Sequence, residues 1–168
     1  ETFKKHGGAD WKDVFLIETG PAIGVRETRR IRGRYCLTWQ DLDRGARFED
    51  GITDISSGSN IHPVDNPYED PPADLPAGPQ FRVRPYQIPY RSLLAADVDN
   101  LLLAGRCISG DCYALGSYRL TGNVVCTGEA AGLAAAMAVE QRVLPPEVDG
   151  ARLVARLGAM RGEAPPDA

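Results

Sequence analysis

Histidine and cysteine are scarce in this chain of 168 residues, which contains 2 His and 4 Cys. Scattered cysteines in this number do not build a disulfide scaffold, and two histidines do not indicate a zinc site. The sequence therefore predicts no metal site. A low cysteine content without a disulfide framework is typical of a reducing compartment, so we expect a cytoplasmic protein.

Long apolar runs and an excess of positive charge are also missing. The longest apolar stretch, near Ala134, is interrupted by Gly128, Glu129 and Gly132, and we expect it to fall short of the roughly 18 residues of a membrane span. Residues 1–10 show no targeting signal. Nineteen Lys and Arg against 23 Asp and Glu give a net charge of −4, which argues against nucleic-acid binding. The expectation is a soluble protein that binds neither nucleic acid nor a membrane.

The residues that are present suit a folded protein of about one domain, since 43% are hydrophobic and 25% are charged. Thr38, followed three residues later by Asp41, resembles a capping box and predicts a short helix that extends to Phe48. Six prolines between residues 63 and 79, with acidic residues among them, predict an irregular loop.

A long strand or hairpin is predicted at residues 23–35. One or two strands are predicted at residues 81–94, where the prolines confine them to sheet edges or irregular pairings. Residues 101–105 form an unbroken apolar run, which predicts a strand buried on both faces of a parallel sheet. A loop over residues 106–119 and a helix over about residues 122–141 are expected to follow.

Small residues are spaced four apart on this long helix, at Gly128, Gly132 and Ala136, and we expect this stripe to pack against a sheet. A last short helix is predicted after Asp149, which can cap it. Its inward-facing residues should be Leu153, Leu157 and Met160.

The start of the long helix is the most distinctive predicted site. The free N–H groups of a first helical turn point at whatever lies before the helix, with the positive end of the macrodipole behind them. Gly122 allows close approach of a bound group, and Arg119 can add a positive charge. An anion, or a ring that becomes anionic, suits this arrangement. An ordinary strand-to-helix turn with a surface arginine is the alternative.

Several segments resemble the C-terminal portion of the FAD-dependent oxidoreductase family, within the glutathione-reductase-like FAD/NAD(P)-binding superfamily. They are GPAIGVRETRRIRG (20–33), IPYRSLL (88–94), NLLLAGRCIS (100–109), ALGSYRLTGN (114–123) and GEAAGLAAA (128–136). The resemblance implies an α/β fold in which residues 95–168 are the C-terminal part of a three-layer Rossmann-like FAD-binding domain. Residues 1–94 would then be part of a β-rich substrate domain, with the proline-rich loop at 63–79.

The resemblance also implies FAD as the cofactor and names the residues beside it. Gly105 and Arg106 would lie beside the ribityl and flavin end, and residues 120–124 would face the pyrimidine edge of the isoalloxazine. The complete implied set is Gly105, Arg106, Arg119, Leu120, Thr121, Gly122, Asn123 and Val124. The implied function is a flavin-dependent oxidoreductase that transfers hydride or electrons to or from an unidentified small-molecule substrate.

The GxGxxG turn that binds the pyrophosphate of a dinucleotide does not occur in these 168 residues. We therefore expect the ADP-binding portion to lie in the same longer chain or, less favoured, in a partner chain. The alternatives are that the cofactor has been lost, or that the chain is a non-catalytic FAD-fold module that needs a partner chain. Self-association into a homo-oligomer stays open.

Three further residues are candidates for chemistry at the flavin. Arg26 and Glu27 fall in the GVRE part of the family-like segment, and the ordinary pKa of His62 suits acid–base catalysis. Family members often carry an Asp-x-His pattern near this position, whereas this chain has Asn60-Ile61-His62. A loop histidine without a catalytic task is the alternative for His62.

Arginines at positions 29, 30, 32 and 34 could bind a carboxylate or phosphate, although a solvated edge strand paired with nearby acids is the favoured interpretation. Cys107 and Cys112 allow a thiol–disulfide enzyme as a rival hypothesis. Cys36 and Cys126 are predicted to be small buried hydrophobes.

Overall fold

The computed structural model describes residues 2–22, 24, 29–61 and 81–163. The helices are α1 (Thr2–His6), α2 (Trp39–Arg44), α3 (Cys112–Tyr118), α4 (Thr121–Gln141) and α5 (Gly150–Arg161). The strands are β1 (Gly51–Ile55) and β2 (Tyr86–Pro89), and 3-10 turns lie at Ala9–Trp11, Tyr90–Ser92, Gly105–Cys107 and Pro145–Glu147. Arg26, Glu27, His62 and the loop at 63–79 lie outside the described residues.

The two strands form an antiparallel pair in which Thr53 lies opposite Ile88 and Ile55 opposite Tyr86. Helices α4 and α5 pack against β1, so the core lies between the small sheet and these helices. Ile55, Ile88, Met137 and Leu153 are among its fully buried side chains. This mixture of helices and a small antiparallel sheet is compatible with the predicted α/β class.

Helix α2 confirms the predicted start after Thr38. The Thr38 N–H donates to the Asp41 carboxylate at 2.9 Å, which is one half of the capping box. The helix is shorter than predicted because Gly45 ends it in the left-handed region, with φ of 66°.

Helix α4 begins within one residue of the predicted position, but the predicted small-residue stripe does not pack against a sheet. Gly128, Gly132 and Ala136 are exposed, and a Cβ added at either glycine would lie more than 4 Å from the rest of the described structure. The buried face is the opposite one, which carries Ala130 and Ala134. The stripe expectation was wrong for this chain because β1 and α5 occupy that other face.

Helix α4 also corrects the expectation that the apolar stretch near Ala134 is too short to span a membrane. An 18-residue window of α4 has a mean hydropathy of 1.3, which by length and composition alone is enough to cross a membrane. Only 28% of that window is buried, on the side where α4 contacts β1 and α5.

The apolar run at residues 101–105 is not a buried parallel strand, contrary to the prediction. Leu101 is 41% exposed, and Leu102 makes only an isolated antiparallel bridge to Leu94. A strand needs hydrogen-bonded neighbours on its edges, and the described residues supply no parallel neighbour to this segment. The Rossmann-like sheet is therefore not present within the described residues.

The predicted loop over residues 106–119 contains helix α3. Asp111 is its N-cap, and the Asp111 carboxylate accepts the Ala114 N–H at 2.7 Å. The same carboxylate accepts the Trp39 N–H at 2.8 Å, which joins the starts of α2 and α3. An Asp before an apolar stretch is an N-cap signal, so this helix could have been predicted from the sequence.

Two predicted strands are also shorter than expected. Of residues 81–94, only Tyr86–Pro89 form a strand. In the described part of 23–35, Gly33 makes one isolated bridge to Ala95, and no regular strand forms.

Helix α5 confirms Asp149 as its cap, with the Arg152 N–H donating to the Asp149 carboxylate at 3.1 Å. Leu153 and Leu157 are buried, but Met160 is 63% exposed, so the prediction for Met160 was wrong. Arg161 makes the contact at this end of the helix instead, donating to the Glu129 carboxylate at 2.7 Å and the Ile52 carbonyl at 3.1 Å.

Candidate functional site

A cavity of about 430 Å³ lies at the start of α4. Its lining residues are Ser57, Gly58, Asn60, Arg106, Gly116, Arg119, Leu120 and Thr121. Four of the residues predicted beside a cofactor therefore meet at one place, although they come from two separate segments of the chain. Ser57, Gly58, Asn60 and Gly116 were not predicted.

The break between α3 and α4 creates this geometry. Helix α3 ends at Tyr118, and Leu120 is extended, with φ of −66° and ψ of 145°, before α4 begins. No side chain of the described residues caps the first turn of α4, and that turn contains no acidic residue. Gly122 is exposed, and a Cβ at this position would meet no described atom within 4 Å. The helix start is open to a bound group.

Arg119 is 9% exposed, and its guanidinium donates to the Asn60 carbonyl at 2.6 Å. This buried cation joins the segment after β1 to the junction of α3 and α4. Arg106 is exposed and belongs to the 3-10 turn Gly105–Cys107. The two arginines place positive charge beside the positive end of the α4 macrodipole.

Gly105 begins that 3-10 turn in a conformation that favours glycine, with φ of 82°. The Gly105 N–H donates to the Thr127 hydroxyl at 2.8 Å, and the same hydroxyl donates to the Val124 carbonyl at 2.6 Å. The turn carrying Arg106 is thus fixed to the second turn of α4.

The Asn123 side chain holds the helix start in place. Its amide nitrogen donates to the Ser57 hydroxyl at 2.9 Å and to the Ser117 carbonyl at 3.2 Å. The Ser117 hydroxyl donates to the Ser57 carbonyl at 2.6 Å and accepts the Tyr86 hydroxyl at 2.9 Å. The Asn123 side chain is therefore a positioning group that fixes the start of α4. The backbone N–H of Asn123 has no acceptor within the helix.

Val124 is half-buried, and its N–H donates to the Leu120 carbonyl at 3.0 Å within the first helical turn. Its backbone donor is consequently used by the helix. The N–H groups of Thr121, Gly122 and Asn123 precede the first such bond and have no acceptor within α4.

Two serines that were not predicted, Ser57 and Ser117, support the site by bonding to each other. Ser57 and Ser117 are 60 residues apart in sequence, yet each hydrogen-bonds the other's carbonyl. No local pattern signals such a pair, because it depends on the packing of α3 against the segment after β1.

The four cysteines are all free thiols. Cys107 is half-buried, with its thiol 3.1 Å from the Ala104 carbonyl, and Cys112 is exposed at the first residue of α3. Cys36 is exposed and Cys126 half-buried, so the prediction that both are buried hydrophobes was wrong. Within the described ranges, no cluster of three His, Cys, Asp or Glu residues could hold a metal ion.

Taken together, these elements describe a protein that is compatible with the α/β class and has a cavity at the start of α4, the longest helix among the described residues. A family model described as FAD dependent oxidoreductase matches residues 2–157, and the chain belongs to this family. The resemblance found in the sequence is confirmed, and FAD is the cofactor of this flavoprotein oxidoreductase. No curated protein and no solved structure gives a significant match to the chain.

The residues at the start of α4 fit a flavin ring. The pyrimidine edge of an isoalloxazine presents mainly carbonyl and ring-nitrogen acceptors, and the site offers backbone N–H donors with two guanidinium groups nearby. The absence of an acidic residue from the first turn of α4 leaves the donors unopposed there.

Proposed function

We propose that this chain binds the isoalloxazine and ribityl end of FAD at the start of α4. In the complete protein it would support hydride or electron transfer to or from a small-molecule substrate. The observation that carries this proposal is the cavity in which Arg106 and Arg119 meet the open first turn of α4.

Bound FAD supplies the redox chemistry, and reduction places negative charge on the pyrimidine side of its ring. The first turn of α4 would stabilise that charge through its N–H groups and its macrodipole, by about 1–2 kcal/mol. This corresponds to roughly 20–40 mV in the potential of a two-electron couple. Arg119 would add to this stabilisation, and Asn60 would hold Arg119 in place through the 2.6 Å hydrogen bond.

Gly122 would permit the close approach of the ring. Glycine is about 0.5–1 kcal/mol less favourable than alanine inside a helix, and nothing in the described chain occupies the space in front of it. The close approach of a bound group from outside the chain would explain why a glycine occupies this helical position.

The uncovered surface of α4 supports the proposal that further polypeptide completes the FAD site. Gly128 and Gly132 face open space, and Leu101 in the nearby apolar run is 41% exposed. A neighbouring strand would pair with residues 101–105 and cover the small-residue face. The proposed source is the ADP-binding portion, in the same longer chain or in a partner chain. The four free thiols suit the proposed cytoplasmic location.

A visible absorption spectrum of the gently purified complete protein, with denaturing mass spectrometry of every polypeptide in the sample, tests the proposal. We expect a flavin spectrum together with a polypeptide that carries the ADP-binding portion. A colourless protein that stays colourless after addition of FAD would refute it.

A pair of variants tests the placement of the ring. Gly122→Val should lower flavin content severely without unfolding the chain, because the new side chain points into open space. Ala155→Val is the control, since it places the same side chain at an exposed position of α5. Equal flavin content in the two variants would contradict the proposed placement.

A further inference from the structure

A second cavity, of about 470 Å³, is lined mainly by the arginine-rich segment at residues 29–33. Its lining residues are Arg29, Arg30, Ile31, Arg32, Gly33, Cys36, Ser109 and Gly110. Among the described residues, the lining contains three guanidinium groups and no carboxylate, in a protein whose net charge is −4. We propose that this cavity binds a small organic oxyanion that carries at least two negative charges.

The charge of the cavity is not neutralised by the described part of the chain. Arg29, Arg30 and Arg32 make no ion pair with any carboxylate there. Six arginines elsewhere do have carboxylate partners, namely Arg34, Arg44, Arg47, Arg91, Arg156 and Arg161. The sequence favoured a solvated strand paired with acids, and this holds for Arg34, which lies 2.9 Å from Asp99. For the three arginines around the cavity, no carboxylate partner lies among the described residues, and Glu27 lies outside them.

The backbone that carries these arginines is held on both sides. The Ile31 N–H donates to the Cys107 carbonyl at 2.9 Å, and the Arg32 carbonyl accepts the Ala96 N–H at 2.9 Å. Gly33 lies so close to Ser109 that an added Cβ would be 2.5 Å from the serine Cβ. The backbone at residues 31–33 is therefore fixed, which lowers the entropy lost when the arginine side chains of this segment converge on a ligand.

The floor of the cavity strengthens the electrostatic interaction. Ser109 and Gly110 are buried, and Arg30 is half-buried beside them. Charges near such a floor interact in a lower effective dielectric than charges in open water. Guanidinium groups bind carboxylate and phosphate oxygens in the same two-point manner, so both kinds of oxyanion share the required chemistry.

The exposed Cys36 thiol provides a local probe, because it lines the same cavity. The complete protein should be alkylated with neutral iodoacetamide in the presence of citrate, succinate or inorganic phosphate, with sodium chloride at matched ionic strength as the reference. Mass spectrometry then gives the rate at Cys36. We expect citrate to slow alkylation at millimolar concentration more than chloride does. Protection by succinate as well identifies carboxylates as the ligand class, whereas protection by phosphate alone identifies a phosphorylated ligand.

Matched arginine variants assign the effect to the cavity. Arg30→Gln and Arg32→Gln should each weaken the protecting anion about tenfold, the loss expected for one charged hydrogen-bonding partner. Arg34→Gln removes the same charge nearby but outside the cavity, and it should leave the affinity unchanged. Protection no greater than that of chloride, or equal weakening by all three variants, would overturn the proposal. Because the readout is alkylation and not flavin content, its failure is distinct from failure of the proposed flavin site.

Discussion

Ser117 is the residue whose removal should most clearly show how the site is supported. It is fully buried, and its hydroxyl donates to the Ser57 carbonyl and accepts the Tyr86 hydroxyl. In Ser117→Ala, the Tyr86 hydroxyl would remain fully buried with no acceptor among the described residues. Tyr86→Phe removes the donor instead and leaves the bond between Ser117 and Ser57 intact.

The two substitutions should therefore differ in cost. A buried hydroxyl left unsatisfied costs about 1–3 kcal/mol, and the lost bond to Ser57 adds about 1 kcal/mol, which gives about 2–4 kcal/mol for Ser117→Ala. Tyr86→Phe should cost about 0.5–1.5 kcal/mol. The double variant has no unsatisfied phenol, so its cost should be at least about 1 kcal/mol smaller than the sum of the single variants.

Urea denaturation of the complete protein and the three variants measures these free energies of unfolding. Ser92→Ala is the matched control, because the Ser92 hydroxyl is buried and has no hydrogen-bond partner in the described part of the chain. Its removal should be neutral or stabilising. Additive costs for Ser117→Ala and Tyr86→Phe, or a Ser117→Ala variant as stable as Ser92→Ala, would refute the network.

Alkaline pH and a pair of α5 substitutions test two other parts of the fold. Burial raises the pKa of Tyr90 from 10.0 to about 12 and also raises the pKa of Tyr86 and Tyr118. The folded state therefore keeps these phenols neutral. Their contribution to stability should not change below about pH 10, and stability should then fall by about 1.4 kcal/mol per pH unit for each tyrosine that ionises only on unfolding. Urea denaturation at about pH 9 and about pH 11 measures this, and equal stability at both would contradict it. In α5, Leu153→Ala should cost about 2–5 kcal/mol, whereas Met160→Ala should stay within about 0.5 kcal/mol because Met160 is 63% exposed. Thermal unfolding followed by circular dichroism compares them, and similar losses would place Met160 in the core.

The starts of α2, α4 and α5 were predictable from the sequence because their signals are local. Thr38 with Asp41 and Asp149 with the turn that follows it each satisfy backbone donors within three residues. The start of α4 was predicted within one residue for a related reason, since an apolar helical pattern follows the break at Arg119 and Leu120. Such features require no knowledge of what packs against them.

Residues 101–105 show why the sheet could not be predicted in the same way. An unbroken apolar run is typical of a central parallel strand, but a strand exists only where hydrogen-bonded neighbours flank it. The described residues leave Leu101 exposed and pair Leu102 only with Leu94. Gly128 and Gly132 show the same dependence on neighbours. Their small size predicts close packing, but no described residue packs against them. Neither pattern finds a packing partner among the described residues, which is why neither prediction matched the structure.

At the start of α4, the type of a side chain likewise did not predict which atoms it contacts. Arg119 and Asn123 have side chains that suit a flavin, yet one guanidinium bond goes to the Asn60 carbonyl and the Asn123 amide donates to Ser57 and Ser117. Those bonds hold the first turn of α4 against the segment after β1, and they leave the backbone donors of Thr121, Gly122 and Asn123 facing outward. A site made from backbone donors needs side chains to fix the backbone more than it needs them to touch the ligand. Substitutions at Asn123 should therefore alter flavin binding through the position of the helix start, with a loss of stability that Gly122→Val does not share.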